Sequence, residues 1–141
     1  GEGRCSMIEQ TYLDLMNRLS LVSARISAFR RELDDAKRNT KEAASAVEGH
    51  KLDVIIDAGG YASLGKNAEE RDIALQVRLR RSAVYGEALA RLHYFESQQA
   101  GSQRELDDAK TDFDVARTMA ALHGEWLKYS VTNTNSNDLD L

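Results

Sequence analysis

Between Asp57 and Asn67 the chain reads Asp-Ala-Gly-Gly-Tyr-Ala-Ser-Leu-Gly-Lys-Asn, and Gly60-x-x-x-x-Gly65-Lys66 has most of the spacing of a phosphate-binding loop. In such a loop backbone amides surround the phosphates, the lysine reaches the terminal ones, and a following Ser or Thr holds magnesium. Asn67 stands in that last position and is a poor substitute. The loop also needs a parallel sheet and a separate apolar strand ending in a magnesium-binding Asp. Long heptad segments before and after the motif leave no room for either. The simpler reading is a helix-to-helix turn with a solvated lysine.

Other groups that could do chemistry are dispersed. His50, His93 and His123 show no paired ligand spacing. His50 and His123 fall on apolar seams, where they set register rather than bind metal. Asp34, Asp35, Asp107 and Asp108 occur as neighbours, and neighbouring side chains on a helix diverge by about 100°, which suits a solvated face better than a metal site. No nucleophile elbow is present. No catalytic residue, metal or cofactor is expected.

Two charged groups are better candidates for binding. Lys66, Arg71, Arg78, Arg80 and Arg81 lie close in sequence to Tyr61 and Tyr85, and arginines near aromatics suit phosphate contact and base stacking. An ordinary charged helix surface is the competing reading. Asp107, Asp108, Asp112 and Asp114 form an acidic face that could imitate phosphates. Trp126 and Tyr129 are read as packing residues.

The elements that must position these groups follow from composition and period. The 141 residues suit one domain. Proline is absent, so nothing forces a break in long helices. Charged residues make up 30% and aromatics 6%, a balance suited to elongated helices. A formal net charge of -4 argues against a generic polyanion binder. The single cysteine, Cys5, excludes an internal disulfide and suits a reducing cytoplasm. No apolar run approaches the roughly 20 residues that span a bilayer, and no signal peptide is visible. Residues 1–6 read as a tag remnant ahead of Met7.

Apolar residues recur at alternating spacings of four and three. The first seam runs Ile8, Tyr12, Leu15, Leu19, Val22, Ile26, Phe29, Leu33, Ala36, Thr40, Ala43, Val47, His50 and Val54. A second runs Tyr85, Ala88, Leu92, Phe95, Gln99, Ser102, Leu106, Ala109, Phe113, Ala116, Ala120, His123 and Leu127. This 3.5-residue period keeps one stripe facing a partner helix. The first helix should be roughly 70 Å long at the usual rise per residue. Gln99, Gly101 and Ser102 predict a loosened or bent middle in the second. The heptapeptide Arg-Glu-Leu-Asp-Asp-Ala-Lys occurs at 31–37 and 104–110, with its Leu and Ala on the seam both times.

Gly59, Gly60 and Gly65 supply the turn. Asn67 with Glu70 three residues on reads as an N-cap and capping box. The expectation is therefore an all-α fold: helix 7–57, turn 58–67, helix 68–129, paired as a long antiparallel coiled-coil hairpin. Residues 131–141, rich in Asn, Thr, Ser and Asp, predict a disordered tail. Basic excess over Arg18–Lys41 and acidic excess over Glu87–Lys128 favour pairing of the two helices with each other or with a second copy. Two hairpins packed as a dimeric bundle would cover Met16, Leu89 and Met119. An alternative at the tip is a small β-hairpin, since 51–57 and 73–79 also read as strands.

The segment Gly65-Lys66-Asn67-Ala68-Glu69-Glu70-Arg71 resembles a group of small bacteriophage and prophage proteins that place a GKNAEER-like turn between two coiled-coil segments. That resemblance implies a non-enzymatic, oligomeric accessory of phage DNA recombination or replication in the host cytoplasm. Its partners would be a second copy, a phage or host protein and, weakly, nucleic acid, with Arg78, Arg80 and Arg81 in contact. The alternative is a phage inhibitor of a host defence nuclease or CRISPR effector, acting by occlusion or acidic mimicry. A nucleotide-dependent enzyme built on the turn comes last.

Overall fold

The computed structural model describes the backbone of residues 2–139 and the side chains of residues 9–130. It is all-α: α1 spans Glu2–Asp57, a 3-10 turn Tyr61–Leu64, α2 Ala68–Arg81 and α3 Ala83–Leu139. No strand occurs among the described residues. The β-hairpin alternative is not taken, because 51–57 belongs to α1 and 73–79 to α2. In a strand Ile73, Leu75, Val77 and Leu79 would share one face. Here Leu75 and Leu79 are buried whereas Ile73 and Val77 are 60% and 41% exposed, the division a helix makes.

Burial follows the heptads. Every buried residue of α1 (Leu15, Val22, Ile26, Leu33, Ala36, Ala43 and Val47) is a seam position, and so is every one of α3: Leu106, Ala109, Ala116 and Ala120. Both copies of the repeated heptapeptide bury their Leu and Ala. His50 and His123 are half-buried, and His93 is exposed.

The chain forms two compact units, one made by residues up to Arg31 and from Arg104 onward, the other by Glu32–Gln103. In the first, Ser23, Ile26, Ser27 and Arg30 of α1 share a groove with Lys110, Phe113 and Asp114 of α3. The Tyr12 ring lies 3.7 Å from where a side chain on Gly124 would begin, so α1 and α3 meet there at ordinary contact distance. In the second unit Ala43, Ala46 and His50 share a groove with Val84, Ala88 and Phe95.

The second helix does not run unbroken from 68 to 129. It divides at Ser82, whose backbone is extended (φ -82°, ψ 111°). The Tyr85 amide donates to Ser82 Oγ at 3.2 Å and the Gly86 amide to the Ser82 carbonyl at 3.0 Å. A serine that offers its side chain to the third residue of a helix is an N-cap, so α3 begins anew there. The softness expected around Gly101 takes another form. α3 continues helically through it, with Gln99, Gly101 and Ser102 only half-buried. At its far end α3 extends to Leu139 rather than stopping at 129, since neither glycine nor proline follows Gly124. Residues 131–139, expected as a disordered tail, are thus helical in backbone, and 140 and 141 lie outside the described residues. α1 likewise takes in residues 2–6 of the expected tag remnant, with residue 1 outside the described residues.

Candidate functional site

The turn is built from its glycines. α1 closes with the Gly60 amide donating to the Ile55 carbonyl and the Gly59 amide to the Ile56 carbonyl, both at 2.9 Å. This is the Schellman arrangement, which needs a left-handed residue just past the helix. Gly59 (φ 88°) supplies it and Gly60 (φ 102°) continues in a region closed to other residues. Gly65 is needed for a different reason. Its backbone is extended, but a Cβ there would lie 2.7 Å from Glu70 Cβ. Absence of a side chain lets the chain pass against the first turn of α2.

That close approach gives the Lys66 amide a carboxylate partner. The Lys66 amide donates to Glu70 Oε2 at 3.0 Å, and the Glu70 amide donates to Asn67 Oδ1 at 2.9 Å. The expected capping box is present, with the glutamate reaching one residue further back than the N-cap itself. Arg71, half-buried, donates from Nε to the Gly65 carbonyl at 3.0 Å. Its guanidinium lies 5.8 Å from the Tyr61 ring centroid, and the Tyr61 hydroxyl donates to Asp72. That hydrogen bond first, then partial desolvation and the charge of the same carboxylate, hold the Tyr61 phenol above its ordinary value of 10.0, against an opposite pull from Arg71. Arg71 and Tyr61 therefore act as braces of the turn.

The other sequence-derived cations are placed differently. Lys66 is exposed. Arg78, Arg80 and Arg81 occupy the last turn of α2, all exposed. Positive side chains there complement the negative end of the helix dipole. Arg78 and Arg81 line one groove of about 640 Å³ with Val54, Asp57, Ala74, Val77 and Ser82. Arg80 lies about 160° round α2 from Arg78, on the other side of the helix. Tyr85, the second aromatic expected near them, is half-buried on the α3 seam.

The acidic group does not form a single face. On α3, Asp108 and Asp112 share one side, while Asp107 and Asp114, seven residues apart, share another about 100° away. Asp114 is also held by Arg117 at 3.6 Å. No cluster of three or more His, Cys, Asp or Glu able to hold a metal occurs among the described residues. No described helix is long and apolar enough to cross a membrane.

What the seams did not point to is a set of exposed apolar residues on α3. Trp126 and Tyr129, read from sequence as packing residues, are 52% and 65% exposed, and Val115, Met119 and Leu122 are similarly open. Comparison of the chain with family models, with curated proteins and with solved structures finds no match.

Proposed function

We propose that this chain is a non-enzymatic helical binding protein whose contact surface is the basic end of α2, and that it takes single-stranded nucleic acid there through Arg78, Arg80 and Arg81. One observation carries the reading. The three guanidiniums are exposed at the end of a short helix, and none makes an ion pair among the described residues. Elsewhere Arg38 and Arg117 each face an aspartate three residues away. Guanidiniums without carboxylates attract phosphates at little desolvation cost. With Arg71 and Tyr61 committed to the turn, contact is mainly to the backbone, so binding is weak, salt-sensitive and indifferent to base sequence.

The phage-type accessory role in the host cytoplasm belongs to this reading, and so does a single long antiparallel hairpin. Support for the hairpin comes from each unit separately. Tyr12 meets Gly124 and Ile26 shares a groove with Phe113 in one; His50 shares a groove with Val84 and Ala43 with Phe95 in the other. Inhibition by phosphate mimicry has less support, because one of its four aspartates, Asp114, already faces Arg117 at 3.6 Å.

The test is fluorescence anisotropy of a labelled single-stranded oligonucleotide at low salt. Binding that disappears in the Arg78→Glu/Arg80→Glu/Arg81→Glu variant, with helical circular dichroism unchanged, supports the reading. No binding by the wild-type chain removes it.

A further inference from the structure

The three guanidiniums at the end of α2 do not share one face of the helix. At about 100° per residue, Arg78 and Arg81 lie about 60° apart, and Arg80 lies about 100° beyond Arg81. Together they make a fan of about 160° in the order Arg78, Arg81, Arg80, centred almost opposite Leu75 and Leu79, the residues that α2 buries. No acidic residue interrupts it, because none occurs from Ile73 to Ser82. The surface between the arginines is apolar. Val77, 41% exposed, falls between Arg80 and Arg81, and Ala74 between Arg81 and Arg78. Arg78 and Arg81 line the groove of about 640 Å³ whose other wall is Val54 and Asp57 of α1. Arg80 stands outside that groove.

We infer that a nucleic-acid strand crosses the end of α2 along this fan, meeting Arg78 in the groove, Arg81 at its rim and Arg80 on the open side, and that the site therefore takes unpaired strand and rejects duplex. The path rests on the nucleic-acid reading of α2 and adds direction, length and selectivity to it. Asp57 sets the direction. It shares the groove with Arg78 and Arg81 and repels phosphate, so the strand leads away from it, over Arg81 towards Arg80. The size of the helix sets the length. An arc of 160° round a cylinder about 10–12 Å across is about 15 Å long. Such an arc suits roughly four nucleotides, the short end of what single-strand-binding modules cover. Stiffness sets the selectivity. A duplex keeps its direction over about 150 base pairs, so it cannot follow that arc and meets only one or two of the three arginines. A single strand turns within a few nucleotides and meets all three.

Fluorescence anisotropy at low salt tests the path, with labelled oligothymidylates of about two to about twelve nucleotides, which cannot pair with themselves, and a labelled duplex of about twelve base pairs. Affinity for the single strands rises steeply up to about four nucleotides, and beyond that only with the number of overlapping sites. The duplex binds at least about tenfold more weakly, for want of one or more charge-assisted contacts. Arg78→Gln, Arg80→Gln and Arg81→Gln each take about 0.7 off the salt slope for the single strand, with helical circular dichroism unchanged. Three outcomes overturn the path and leave the α2 site standing: a duplex bound as tightly as the single strand, an affinity that still climbs steeply past about eight nucleotides, or a single-strand slope unmoved by Arg80→Gln. Failure of every probe to bind removes the site and the path together.

Discussion

Glu70 and Lys66 are joined across the start of α2: the Glu70 carboxylate accepts the Lys66 amide at 3.0 Å, so that amide already has an anionic partner from the protein itself. The Lys66 amide, one of those a phosphate-binding loop would use, is thus already bonded within the turn. Removing the lysine side chain leaves that bond in place, since it comes from the backbone. Lys66→Ala is therefore expected to change stability by less than about 0.5 kcal/mol. Asn67→Ala, which removes the cap acceptor of the Glu70 amide, costs about 1 kcal/mol. Chemical denaturation of both variants checks the pair.

Gly65 is expected to be the least replaceable residue of the turn after Gly59 and Gly60. A Cβ at Gly65 meets Glu70 Cβ at 2.7 Å together with backbone of Glu70 and Arg71, so the first turn of α2 must shift. Gly65→Ala is expected to destabilise by about 1–3 kcal/mol, as overpacking does elsewhere. Gly49→Ala has open space in the middle of α1, and is expected to stabilise by about 0.5–1 kcal/mol through helix propensity. Thermal melts of the two variants should move in opposite directions.

The brace between Tyr61 and Asp72 gives a pH dependence of defined sign. The phenol is held above its ordinary value of 10.0 in the folded chain, so the folded state keeps its proton longer than the unfolded state does. The stabilisation is fully present below about pH 10 and is lost as pH rises through the raised folded value. Absorbance titration should show one tyrosine ionising later than the rest. That late step should vanish in Tyr61→Phe and move down in Asp72→Ala.

Leu79, 3% exposed, and Leu75, 5% exposed, are the buried residues of α2. Leu79→Ala is expected to cost about 2–5 kcal/mol, while Ile73→Ala, at a 60% exposed site, should stay within about 0.5 kcal/mol. The difference, read by denaturant midpoint, establishes that α2 is held by packing and not by helix propensity alone.

The heptad seams were fully legible in the sequence, because burying one stripe of a long helix leaves a strict period that few other constraints disturb. From Tyr12 to Val54, and again from Tyr85 to Leu127, each seam position is buried or half-buried. The cap at Asn67 and the glycine turn were legible for the same reason: their chemistry is local. Ser82 was not. It lies inside a run that continues at helical period on both sides, and a single serine mid-helix is common. The Tyr61–Asp72 brace joins residues eleven apart through a turn whose path no pattern encodes. The exposed apolar residues of α3 from Val115 to Tyr129 recur at heptad spacing but run one residue behind a stronger seam. Trp126 and Tyr129 read from sequence as packing residues, yet both are exposed. The acidic cluster failed as one face for a geometric reason, since adjacent aspartates on a helix point apart.

The central claim, that exposed guanidiniums at the end of α2 contact phosphates, is tested most directly by the salt dependence of binding to a single-stranded oligonucleotide. Three phosphate contacts to a single strand give a slope of about −2 for the logarithm of the association constant against the logarithm of salt concentration. The account expects that slope for the intact chain, and no measurable binding by Arg78→Glu/Arg80→Glu/Arg81→Glu. Arg71→Ala should weaken the turn without changing the slope, because that guanidinium is already held by the Gly65 carbonyl. An intact chain whose binding ignores salt, or whose slope survives the triple substitution, would contradict it.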